Sequence, residues 1–123
     1  MKVISNNPLF KENDFSDFNF IDGNYLDVLK SARDYIHKGF SLLNHPLYGS
    51  VKPNETIYRT ILLKEEKALD ENSLMLIEDA ITFFNSFESN SKPKNWPERI
   101  LNDFQYIDKS LIMESFSHIS NCN

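Results

Sequence analysis

The sequence predicts an α/β fold: a small three-layer sandwich with a mostly parallel four-stranded sheet and flanking helices. Three observations carry that expectation. Short runs rich in β-branched and aromatic residues recur at Val3 to Ile4, Phe18 to Phe20, Phe40 to Leu43 and Ile57 to Leu63. A helical apolar face fills the interval between the second and third runs, and such a β-helix-β unit pairs its strands in parallel through a right-handed crossover. Two further amphipathic segments follow the fourth run.

The elements follow in order. Lys2-Val3-Ile4-Ser5 is a strand that Asn6-Asn7-Pro8 stops, because Pro8 lacks a donor and biases Asn7 away from helix. Leu9 to Phe15 is short and mixed, enough for one or two helical turns. Phe18 to Ile21 is the second strand, and Asp22-Gly23-Asn24 is turn chemistry. Asn24 can cap the next helix, where Tyr25, Val28, Leu29, Ala32, Tyr35 and Ile36 share one face. Asp27 in its first turn and His37 and Lys38 in its last complement the macrodipole, and Gly39 suits a left-handed terminator. Phe40 to Leu43 gives the third strand, with the first strand expected between the second and third. Thr56 to Leu63 supplies the fourth, in either direction, because no helix is apparent between Asn44 and Glu55. Lys64 to Leu69 is a charged connection, and Asp70 can cap a helix from Glu71 to about Phe87. Glu88 to Asn95 is polar and turn-like. Pro97 opens a last helical region that is one bent helix or two short ones, with Asp108 as a natural second cap.

Composition bounds the function. The 123 residues make one domain, 1–123, with ordinary hydrophobic (41%) and charged (25%) fractions and ten Phe for a bulky core. A net charge of −5 with no basic run argues against a nucleic-acid partner. No apolar stretch approaches the length of a transmembrane helix, and the N-terminus lacks the apolar run of a signal peptide, so no membrane partner is expected. Cys122 is the single cysteine, which excludes an internal disulfide and suits the cytoplasm. Three scattered histidines make no metal site, and no dinucleotide, Walker or nucleophile-elbow motif occurs, so no cofactor is expected.

Candidate chemistry collects in two loops. In open parallel sheets, ligands sit beyond the carboxyl ends of the strands. The first and third strands exit there as Asn6-Asn7-Pro8 and Asn44-His45-Pro46. The second exit continues as a ten-residue loop, His45 to Asn54, held by Pro46 and Pro53. Its Gly49-Ser50-Val51-Lys52 offers backbone donors, a hydroxyl and an ammonium to an anion. The candidate ligand-binding set is therefore Asn6, Asn7, His45, Gly49, Ser50, Lys52 and Asn54, with an ordered loop and Lys52 aimed into the crevice. The structural alternative is a histidine that bonds the loop backbone, a solvated Lys52 and an Asn54 that bonds locally. Asp14, Asp17 and Asp22 read as solvated loop charges.

The strings Asn6-Asn7-Pro8-Leu9, Tyr25-Leu26-Asp27-Val28-Leu29, Arg33-Asp34, His37-Lys38-Gly39 and His45-Pro46-Leu47-Tyr48-Gly49-Ser50-Val51-Lys52-Pro53-Asn54-Glu55-Thr56 resemble the GrdX family. The resemblance covers most of the first two thirds of the chain. It implies an accessory protein encoded with glycine, sarcosine and betaine reductases in amino-acid-fermenting anaerobic bacteria. It transfers no catalytic residues. The reading that follows is an accessory or regulatory protein that binds a small anionic metabolite at the strand-end loops. One alternative is a small enzyme using His45 as general acid or base. Another is an interaction module acting through its surface on a reductase subunit or a second copy.

Overall fold

The computed structural model describes residues 1–11, 14–47, 58–88 and 97–121. Its elements run β1 (Lys2–Ser5), β2 (Phe18–Phe20), α1 (Tyr25–His37), β3 (Phe40–Leu42), β4 (Thr60–Glu65), α2 (Glu71–Glu88) and α3 (Glu98–Asn121).

α1 starts and stops as its sequence dictates. The Asn24 side chain accepts from the Asp27 N–H while the Asp27 carboxylate accepts from the Asn24 N–H, both at 2.9 Å, a reciprocal cap of the first turn. The helix ends before Gly39, whose φ of 104° is open to glycine and strained for other residues. The Gly39 carbonyl then accepts from the Glu66 N–H at 2.7 Å, which ties the turn into β3 to the end of β4.

The sheet differs from expectation. Its order is β2-β1-β4-β3. β1 pairs with β2 in parallel, but β4 is antiparallel to both β1 and β3. The sheet is therefore mixed, not mostly parallel, and β1 lies between β2 and β4, not between β2 and β3. The physical reason lies in β4 itself. Ile61, Leu62 and Leu63 are wholly buried, so both faces of this run need cover, and the centre of the sheet supplies it. The shorter, half-covered β2 and β3 take the edges. Because β1 and β3 are both antiparallel to β4, the first three strands still share one direction, as expected. α1 is a long crossover that joins one edge of the sheet to the other, touching β1, β4 and β3 on its way.

Alternation along the strands sorts the core into two clusters. Ile4, Ile61 and Leu63 pack with Val28, Leu29 and Ile36 of α1 and with Ile77, Ala80 and Phe84 of α2. Val3 and Leu62 pack with Phe10, Phe15 and Ile112, joined by Phe116 and Ile119 of α3. Phe15 anchors the second cluster, with ring centroids 5.5 Å from Phe10, 5.9 Å from Phe18 and 5.0 Å from Phe116. Each fully buried aliphatic side chain contributes about 2 kcal/mol against leaving it in water.

Three smaller features concern β4, α3 and Asp17. β4 begins at Thr60 and runs to Glu65, so Lys64 and Glu65 belong to the strand, not to the connection that follows. α3 is one uninterrupted helix, and Asp108 is buried within it and is not a cap. Asp17 is half exposed but pairs with the Lys2 ammonium at 3.0 Å. Among the described residues, no helix is long and apolar enough to cross a membrane.

Candidate functional site

Three connections meet beyond the carboxyl ends of β1 and β2. β1 leaves as Asn6-Asn7, β2 leaves through Asp22-Gly23 into the N-terminus of α1, and Tyr58-Arg59 leads into β4. The Asn6 side chain joins all three. Its Nδ2 donates to the Gly23 carbonyl at 3.1 Å, and its Oδ1 accepts from the Arg59 N–H at 2.8 Å. It acts as a spare peptide group, extending the ladder where the strands stop.

Asn7 begins a buried relay. Its backbone N–H donates to Ser5 Oγ at 2.9 Å, Ser5 Oγ lies 2.7 Å from Thr60 Oγ1, and Thr60 Oγ1 donates to Asp108 Oδ2 at 2.8 Å. Since Thr60 spends its proton on the carboxylate, Ser5 must donate to Thr60, and the whole chain points at Asp108. Asn7 Nδ2 closes the loop, donating to the same Asp108 oxygen at 3.0 Å and to the Gln105 carbonyl at 2.9 Å. Gln105 in turn donates to the Tyr58 hydroxyl at 2.7 Å. α3 is thus bolted to the strand ends by polar groups that water cannot reach, where each lost partner would cost the full desolvation penalty.

Arg59 and Tyr25 complete the cluster. Arg59 is 1% exposed, and its guanidinium lies 4.6 Å from the centroid of the Tyr25 ring. Phe84 stacks on Tyr25 at 5.1 Å between centroids, with 19° between planes. Burial pushes the Tyr25 hydroxyl pKa up; the Arg59 charge opposes this, and the Asp108 charge adds to it. Arg59 comes near enough to act on that hydroxyl, yet among the described residues no atom meets the geometric hydrogen-bond criteria with it.

The expected site residues separate into three groups. Asn6 and Asn7 are buried and bonded as described. His45 is exposed, and its Nδ1 accepts from the Leu47 N–H at 3.0 Å, so one ring nitrogen is bound to the loop backbone. Gly49, Ser50, Lys52 and Asn54 lie outside the described residues, as do the loop order and the Lys52 direction expected with them. Asn44 completes the edge: its Oδ1 accepts from the Leu62 N–H at 2.9 Å and its Nδ2 donates to the Thr60 carbonyl at 3.1 Å. Asn7 and Asn44 therefore approach the same residue, Thr60, from opposite sides. β4 stands between the two exits and bridges them.

Arg59, Asp108, Thr60 and Tyr25 were not among the sequence-derived candidates. Two of them left a signal. Arg59 interrupts an otherwise apolar strand, and Asp108 falls on the helical face of Phe104 and Ile112, four residues from each. A charge in either place is buried if the element forms, and buried charges need partners. Tyr25 and Thr60 are ordinary core and strand residues in sequence, and nothing local marks them.

The chain matches the model of the GrdX-like protein family over residues 2–117 and belongs to that family. No curated protein and no solved structure matches it.

Proposed function

We propose that this member of the GrdX-like family is a cytoplasmic accessory or regulatory protein of amino-acid reductase metabolism of the glycine and betaine type. We further propose that it binds a small anionic metabolite at the strand-end loops. The family supports the first part of this reading. One observation carries the second: a permanently charged guanidinium, Arg59, is buried at the carboxyl ends of β1 and β2, beside Asn6. Asn6 bonds the Arg59 N–H, and Asn7, His45, Gly49, Ser50, Lys52 and Asn54 are the further residues proposed to bind the ligand. The division of the core into one cluster under α1 and α2 and another under α3 supports a three-layer sandwich as the scaffold. A reductase subunit or a second copy of the chain is the protein partner this role calls for.

Thermal melting against a panel of small anions tests the binding. A ligand held at a hundred times its Kd stabilises the folded chain by about 2.7 kcal/mol. The melting temperature should rise by several degrees with the right anion, and His45→Ala or Lys52→Ala should abolish the rise. A chain that melts at one temperature with every anion, at constant ionic strength, has no such site.

A further inference from the structure

We propose that β2, the open edge of the sheet, pairs with β2 of a second copy of this chain. The two strands run antiparallel about a two-fold axis at Asn19 and join the two four-stranded sheets into one. This rests on the sheet edge and not on the anion-binding reading above, and it names the surface through which a second copy docks.

Two observations on β2 carry it. The Val3 N–H donates to the Asp17 carbonyl at 2.8 Å, and the Ile21 N–H donates to the Ser5 carbonyl at 2.7 Å. Asp17 and Ile21, with Asn19 between them, therefore turn their peptide groups towards β1, and Phe18 and Phe20 turn theirs away from the sheet. Among the described residues nothing bonds these outward groups. Beside them, Phe20 is 49% exposed, a large apolar ring at an unpaired edge.

The opposite edge is closed. The Leu43 N–H donates to the Leu62 carbonyl and the Gly39 carbonyl accepts from Glu66, so Leu42 faces outward, and Ser73 Oγ accepts its N–H at 2.9 Å. A head-to-tail chain of copies, β2 onto β3, meets this capped strand. Pairing of β2 with itself meets no cap and closes after two copies.

The sequence of β2 suits its own reverse. With Asn19 opposite Asn19, Phe18 of each copy lies opposite Phe20 of the other. Both residues turn their peptide groups outward, so each such pair exchanges N–H···O bonds in both directions. Their rings share one face, where cross-strand aromatic pairs stabilise a sheet, and the half-buried Phe18 covers the exposed Phe20. Like charges stay apart: Asp17 falls opposite Ile21, and Asp22 opposite Ser16.

The test is sedimentation equilibrium of the full chain over a concentration series, with amide hydrogen exchange read at Phe18 and Phe20. The mass should double as concentration rises, and these two amides should gain protection in step with it. Phe20→Pro deletes a donor that the single chain does not use, at an edge position where proline is tolerated. It should keep the wild-type circular dichroism and self-associate at least about tenfold more weakly, since each copy loses a cross-strand donor. A chain that stays monomeric up to about 1 mM overturns the proposal. So does a dimer whose Phe18 and Phe20 amides exchange as fast as in the monomer, or one that a folded Phe20→Pro leaves equally tight. Should Phe20→Pro not fold, the wild-type exchange profile decides alone. Protection gained only when a different protein is added gives the edge to that partner and overturns the second copy.

Discussion

The two ends of the same sheet handle charge in opposite ways. At one end, Lys64, Glu65, Glu66 and Lys67 stand in solvent, and the polar contacts are exchangeable ones, such as Ser41 Oγ donating to Glu66 Oε1 at 3.2 Å. At the other end, Arg59 and Asp108 are buried, and Ser5, Asn7 and Thr60 direct their donors inward. Both ends are loop-bearing and rich in polar residues. The difference is whether water can replace a lost partner. Where it can, side chains are dispensable. Where it cannot, each group holds the others in place, which is what a preorganised site requires and a solvated edge does not.

Substitutions can break or sharpen this contrast. The largest effect is expected at Asp108. Asp108→Ala removes the acceptor shared by the Thr60 hydroxyl and the Asn7 amide, and unfolding in urea should show a loss of about 3 kcal/mol. Asp108→Asn keeps one acceptor oxygen and should lose less. If both variants unfold at the wild-type midpoint, the relay is not structural. Asn44→Ala comes next, because it deletes two bonds to the β4 backbone. It should cost about 2 kcal/mol in the same experiment, with amide exchange at Leu62 accelerated.

A smaller contribution depends on pH. Burial raises the Tyr25 pKa above its ordinary 10.0, so the folded chain holds that proton more tightly than the unfolded chain. Stability from this source is fully present below pH 10.0 and is lost as pH climbs towards the folded value. Urea midpoints from about pH 9 to about pH 11 should therefore fall more steeply in the wild type than in Tyr25→Phe. Parallel slopes would mean that the hydroxyl is not buried as described. The smallest effect is expected for the partly exposed pair Lys2 and Asp17, 3.0 Å apart. Lys2→Ala should change stability by less than about 1 kcal/mol, and the change should shrink further in high salt.

How far the sequence reached depends on whether the determining interactions were local. α1 was legible from Asn24 to Gly39 because its cap, its apolar face and its glycine stop all act within a few residues. The strands were found for the same reason, with β4 displaced towards its C-terminal end. Asn6 and Asn7 were singled out as strand-end asparagines and do lie in the polar cluster. The reason first given for that cluster, that β1 and β3 are neighbours, does not hold. β4 separates them, and Thr60 makes the connection instead. Asp108 left both one bent helix and two short ones open, because aspartate before a helical segment is a cap far more often than it is a buried acceptor; the helix runs through it. His45 settled on the structural alternative for one of its nitrogens, the Leu47 N–H.

By itself the sequence determined the α/β class, the run of elements from β1 to α2, the ends of α1 and the common direction of β1, β2 and β3. Propensity, capping and amphipathic period are short-range properties, and they are written into adjacent residues. Only the tertiary structure decided the strand order, the insertion of β4 at the centre and the joining of Tyr25, Arg59 and Asp108. These depend on which apolar surfaces cover one another and which polar groups share a desolvated space. Such pairings connect residues up to a hundred positions apart, as Asn7 and Asp108 are. No local pattern encodes a partner at that distance; the competition for burial selects it.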